Sequence, residues 1–136
     1  MPLFNLTKKS KNFLNALKKR ESGELYPKEE FKSIIEKERA RVDRNNHKLS
    51  LVVVDMGKSD LEKTTITHLI GEIRSRIRFI DEVGWHDNQR IGMILPYTSN
   101  KGAIKLAESI CESLGGSIPK PFCTVYTYPL NKLNNK

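Results

Sequence analysis

The apolar positions of this chain change period several times, and each change marks an element. From Lys28 to about Arg44, Phe31, Ile34, Ile35, Ala40 and Val42 recur mostly at three- and four-residue spacing. That spacing predicts a helix, with Pro27 set just before its first turn. Asn45-Asn46-His47 breaks the pattern, and Leu49 to Val54 is a nearly continuous β-branched run that predicts a strand buried on both faces, delivering Asp55 at its end. After a turn at Met56-Gly57-Lys58-Ser59, with Ser59 or Asp60 as cap, Ile66, Leu69, Ile70, Ile73 and Ile77 mark the buried side of a second helix. Ile80 to Trp85 and Arg90 to Leu95 read as two hairpin strands joined around Asp87-Asn88, and Pro96 ends the second. Thr98 or Ser99 can cap a third helix through Leu114, which Gly115-Gly116 closes. Phe122 to Tyr128 is the last strand. The order β-α-β-β-α-β, with helices before it, predicts an α+β fold of the ferredoxin-like kind, an antiparallel sheet with helices on one face.

Charge alters the picture only when it is located. The chain of 136 residues carries a net charge of +8. Residues 1–20 hold Lys8, Lys9, Lys11, Lys18, Lys19 and Arg20 with no acid, and residues 130–136 add Lys132 and Lys136. The body between them is neutral, with 16 bases and 16 acids. A domain that reads DNA concentrates its charge on a recognition helix or one face, so no nucleic acid is expected as a partner. The leading segment sets Phe13, Leu14 and Leu17 on one side at helical spacing, with Lys11, Lys18 and Lys19 around them. Such a basic amphipathic helix can lie on an anionic membrane surface or pack on its own domain or a partner subunit. The chain therefore divides into a basic helix over 1–22, a folded domain over 23–129 and a flexible tail over 130–136.

With 38% apolar residues and no long apolar run, the chain predicts one small soluble domain. The opening Met-Pro-Leu-Phe-Asn-Leu has no apolar stretch or cleavage site of a secretory signal, so a cytoplasmic protein is expected, touching membrane at most through residues 1–20. Cys111 and Cys123 then read as reduced, small core residues, since no Cys-x-x-Cys or nearby His pair accompanies them. His47, His68 and His86 share no spacing that would suggest a metal site. Trp85 reads as core or interface, and Gly115-Gly116-Ser117 as a helix stop.

Residues 78 to 98 carry the most information. Arg78-Phe79-Ile80-Asp81, a hairpin turning at Asp87-Asn88-Gln89-Arg90-Ile91, and a strand leaving through Leu95-Pro96 resemble the GGDEF domain of diguanylate cyclases, bacterial signalling enzymes. In that family an Arg-x-x-Asp precedes a Gly-Gly-Asp-Glu-Phe turn and an apolar strand ending in Leu-Pro. Glu24 to Phe31 looks like a shortened form of the family's Leu-Thr-Gly-Leu-x-Asn-Arg-Arg-x-Phe opening, and Leu49 to Asp55 like its metal-bearing strand. The resemblance implies a nucleotide cyclase-like fold over about residues 24–128.

The resemblance also implies a lost chemistry. In the family, two metal ions held by the strand's aspartate and the turn's acid activate a ribose hydroxyl for attack on the α-phosphate of GTP. Here Gly57 stands in the place of the second acid of an Asp-x-Asp pair, and Gln89-Arg90 replace the turn's Asp-Glu. The family's Phe-Lys-x-x-Asn-Asp and Gly-His-x-x-Gly-Asp module has no counterpart. Asp55 and Arg90 are thus expected to mark a vestigial metal position, with no metal, no cofactor and no catalysis. Arg90 is expected to lean over Asp55 and place its guanidinium where a divalent cation would sit, its remaining donors reaching Asp87 or the turn carbonyls, the competing reading being that it points to water.

Three functions follow as expectations. The first is a non-catalytic signalling or scaffolding domain that acts by contact with a protein partner or a second copy. The second is a cyclic di-GMP receptor in which Arg78 and Asp81 retain the family's inhibitory site and Arg74, one turn earlier, adds a cation; a helix-end salt bridge is the plainer account of the same pair. The third and remotest is an active nucleotide cyclase.

Overall fold

A computed structural model describes residues 24–56, 63–114 and 122–129. The leading basic segment, the turn and caps at 57–62, the closing glycines at 115–116 and the tail all lie outside the described residues. Helix α1 spans Lys28–Asn45 and follows Pro27, whose φ of −61° suits the residue ahead of the first turn. Glu29 and Glu30 in that turn complement the positive end of the helix dipole. Asn46 closes the helix in the left-handed conformation, φ 58°, and its N–H donates to the Val42 carbonyl.

Strands β1 (Leu49–Asp55), β2 (Glu82–Trp85), β3 (Arg90–Pro96) and β4 (Phe122–Tyr128), with helices α2 (Lys63–Arg74) and α3 (Asn100–Leu114), complete the chain order. The strands form one antiparallel sheet in the order β2-β3-β1-β4, the arrangement expected of a ferredoxin-like β-α-β-β-α-β chain. Strand alternation then divides the apolar residues. Val52, Val54, Ile91, Met93 and Leu95 pack on α2 and α3, meeting Leu69, Ile73, Ala107, Ile110 and Leu114. Leu49 and Ile94 point the other way, toward Phe31 and Val42 of α1. The central strand is buried on both faces because α1 takes the face that α2 and α3 leave.

A glycine pair makes room for α1. Gly84 and Gly92 are directly opposed across β2 and β3, and the Phe31 ring rests on both. A Cβ on Gly84 would stand 2.3 Å from Phe31 Cδ1, and one on Gly92 2.7 Å from Phe31 Cε2. No side chain could occupy either position while the ring stays. The segment just before α1 also closes the β2 edge: Tyr26 N–H donates to the Val83 carbonyl, and Trp85 N–H to the Tyr26 carbonyl.

Two boundaries differ from the expectation. Helix α2 ends at Arg74, short of Ile77, because Arg76 N–H turns to the Ile73 carbonyl in a tighter bond. Strand β2 begins at Glu82, not Ile80, since the Asp81 N–H donates to the Arg78 carbonyl and holds 78–81 in a turn. Of the two candidate caps of α3, Ser99 is the one used, its Oγ accepting from the Gly102 N–H at 3.2 Å. No described helix is long and apolar enough to cross a membrane.

Candidate functional site: the hairpin turn and the end of the central strand

The β2–β3 turn is built around one carboxylate. Asp87 Oδ1 accepts from the backbone N–H groups of Gln89 and Arg90, both at 2.9 Å, an Asx-type closure. Its other oxygen, Oδ2, accepts from Arg90 Nε at 2.6 Å and is ion-paired with the same guanidinium. The Arg90 hydrogen bond holds the Asp87 carboxyl below its usual range, and Asp87 in turn holds Arg90 above its own.

Asp55 is the direct cross-strand neighbour of Arg90. The expectation sets the guanidinium over Asp55, with its spare donors reaching Asp87 or the turn carbonyls. Its Nε donates to Asp87, and Asp55 acts on it through space. The reason is local: Asp87 lies three residues away and is already fixed by two backbone donors, so the pair forms with little further ordering.

Lys28, Asp55, Asp87, Asn88, Gln89 and Arg90 line a recess of about 230 Å³ at this corner. Its charges are two acids and two bases. The Gln89 carbonyl accepts from the Met56 N–H at 3.4 Å, tying the turn to the end of β1. Magnesium asks for several oxygens in near-octahedral order, whereas both Asp87 oxygens are engaged by the turn. Among the described residues no three His, Cys, Asp or Glu side chains gather as a metal-binding group. The described residues do not fit a two-metal centre.

Arg78 and Asp81 form a clamp at the start of the hairpin. Arg78 donates from its backbone N and Nε to Asp81 Oδ2, at 2.8 and 3.2 Å, and from Nη2 to Oδ1 at 2.8 Å. The same Nη2 reaches the Pro96 carbonyl at 2.7 Å and Thr98 Oγ1 at 2.8 Å. The side chain of Asp81 is 2% exposed and that of Arg78 49%. The pair thus joins the exit of α2 to the exit of β3. Arg74 serves a different neighbour: its Nη2 donates to the Glu24 carbonyl at 2.6 Å, holding the segment ahead of α1.

The remaining candidates scatter. His68 is exposed on α2, His47 stacks on Tyr97 with ring centroids 4.1 Å apart, and His86 stands at the turn. Trp85 packs against the main core. A second feature leaves no local mark in the sequence, a groove of about 790 Å³ between α1 and β4. Ile35, Leu51 and Tyr126 give it an apolar floor, and Arg39, Lys48 and Lys101 supply its charge. Strand alternation puts Tyr126 there and leaves it, with Phe122, exposed beyond the reach of α1.

A scan against protein-family models finds no match, and a search of curated proteins finds none either. Solved structures do match. A DGC protein from Thermotoga maritima superposes with a TM-score of 0.64 at 18% identity, over 83% of this chain and 90% of that one. The diguanylate cyclase SiaD of Pseudomonas aeruginosa, solved in complex with its activator SiaC, gives 0.64 at 16% identity over 86% of this chain and 53% of that one. The GGDEF domain of DgcB from Caulobacter crescentus, in complex with c-di-GMP, gives 0.59 at 14% identity over 76% and 70%. The likeness shows the fold: this chain is folded as a GGDEF-like, nucleotide cyclase-like domain.

Proposed function

We propose that this chain is a GGDEF-like domain without catalysis, a signalling or scaffolding unit that acts by binding a protein. One observation carries the reading. At the corner where this fold would gather carboxylates around metal, the turn's acid is bound to Arg90 and to two backbone N–H groups. A guanidinium there offers a metal ion no oxygen ligand, so the two-metal activation of a ribose hydroxyl for attack on GTP lacks its ligands. The contact reading draws support from the exposed apolar and aromatic side chains of β4 and the basic groove beside them. SiaD, a protein of the same fold, takes a protein partner.

The cyclic di-GMP reading is the weaker one. DgcB was solved with c-di-GMP, but the Asp81 carboxylate is buried and already accepts from Arg78 at both oxygens. Arg74 is turned to Glu24 rather than offered beside Arg78. Calorimetric titration of the full chain with c-di-GMP is expected to give no heat; micromolar binding lost in Arg78→Ala would replace the first reading with this one. The contact reading itself is tested by sedimentation of the purified chain and by capture from its own cells. A strict monomer that retains no protein contradicts it.

A further inference from the structure

Cys111 and Cys123 lie twelve residues apart in the chain, and the fold brings them together. Cys111 follows Ala107 by one turn of α3, and Cys123 is the cross-strand partner of Val54, on the sheet face that α3 covers. Their sulfurs stand 2.8 Å apart, and Cys123 Sγ is also 3.8 Å from the Ala107 carbonyl. Both residues are only partly buried, so a small solute can reach them. A disulfide has its sulfurs about 2.05 Å apart, and the remaining gap is within the reach of small side-chain rotations. We propose that Cys111 and Cys123 are an oxidisable pair that closes to an intramolecular disulfide, tying α3 to the edge strand β4.

The oxidant is of the peroxide class. The Cys111 thiolate attacks one peroxide oxygen, breaking the O–O bond to give a sulfenic acid and hydroxide, which leaves as water. The Cys123 sulfur then displaces the sulfenic hydroxyl, its proton departing with that oxygen as a second water. Two thiols and one hydrogen peroxide become one disulfide and two waters. Burial and the neighbouring Cys111 push the Cys123 thiol well above its usual range, so it enters the second step still carrying the proton that leaves with the oxygen. The bond would fix the strand that supplies Tyr126, Thr127 and Tyr128 to the groove.

The test uses the full chain, reduced, desalted and treated with a few equivalents of hydrogen peroxide. The intact mass is expected to fall by about 2 Da, the two thiol hydrogens, with both cysteines lost to alkylation and regained with dithiothreitol. Cleavage after Glu108 and Glu112 then leaves the short peptide carrying Cys111 bound to the one carrying Cys123. Cys111→Ala and Cys123→Ala should each abolish the mass loss. Three results overturn the proposal: both thiols still alkylated, oxygen added to either sulfur without a cross-link, or covalent dimers in place of the internal bond.

Discussion

Asp81 is the buried carboxylate among the described residues. It is 2% exposed and paired with the Arg78 guanidinium, so removing that side chain takes the counter-charge from a buried carboxylate. Arg78→Ala is expected to destabilise the domain by about 2–3 kcal/mol, less than a fully buried pair because water reaches Arg78. Arg78→Lys recovers only part, since an ammonium lacks the fork that spans Asp81, Pro96 and Thr98. Urea unfolding of the two variants checks the order. At the turn the balance differs. The Arg90–Asp87 pair is well exposed and adds little, whereas Asp87 also closes the turn through two backbone bonds. Asp87→Ala is therefore expected to cost more than Arg90→Ala. The carboxyl of Asp87 is held below its ordinary value of about 3.9, because Arg90 favours its charged form. Its contribution is present above that value and lost as pH falls through the lower folded one. Acid unfolding of wild type and Asp87→Asn should converge as pH drops below about 4.

At the scale of elements, α1 depends on the glycine floor beneath Phe31. Gly92→Ala places a methyl 2.7 Å from Phe31 Cε2, so ring or helix must shift, at an expected cost of about 1–3 kcal/mol. Adding Phe31→Leu should return part of that loss, a coupling that a double-mutant cycle in urea measures. If the two changes simply add, the ring does not rest on these glycines. The same elements show what the sequence could tell. Leu49 to Val54 and Ile66 to Ile73 follow their periods cleanly, and both β1 and α2 appear where those periods put them. The boundaries at Ile80 and Ile77 did not follow, because the Arg78–Asp81 turn and the Arg76 N–H bond to Ile73 override apolar spacing. For Arg90 the sequence offers two carboxylates, Asp55 across the strand and Asp87 in the turn, and distances that spacing does not encode decide how the guanidinium divides between them. Neither the Cys111–Cys123 contact nor the placement of α1 across the sheet leaves a local mark in the chain.

For the molecule as a whole, the described residues cover one face of the sheet well and the other only partly. Phe31 and Val42 anchor α1 on that second face, and Tyr126 and Phe122 at the β4 side stay exposed. If a partner binds there, Tyr126→Ser should weaken capture of that partner at least tenfold with little change in urea stability, because an exposed ring contributes more to an interface than to a fold. Asp55 stands in register between Arg90 and Phe122, so the corner where Arg90 and Asp87 pair borders the exposed surface of β4.

On the function proposed above, the corner of Asp55, Asp87 and Arg90 supports no metal-dependent chemistry on GTP. The direct measurement incubates the purified full chain with GTP and magnesium, and separately manganese, and follows cyclic di-GMP and pyrophosphate by mass spectrometry. Neither product is expected above the level of a protein-free control. Cyclic di-GMP formed by the wild type and lost in Asp55→Ala would contradict that expectation.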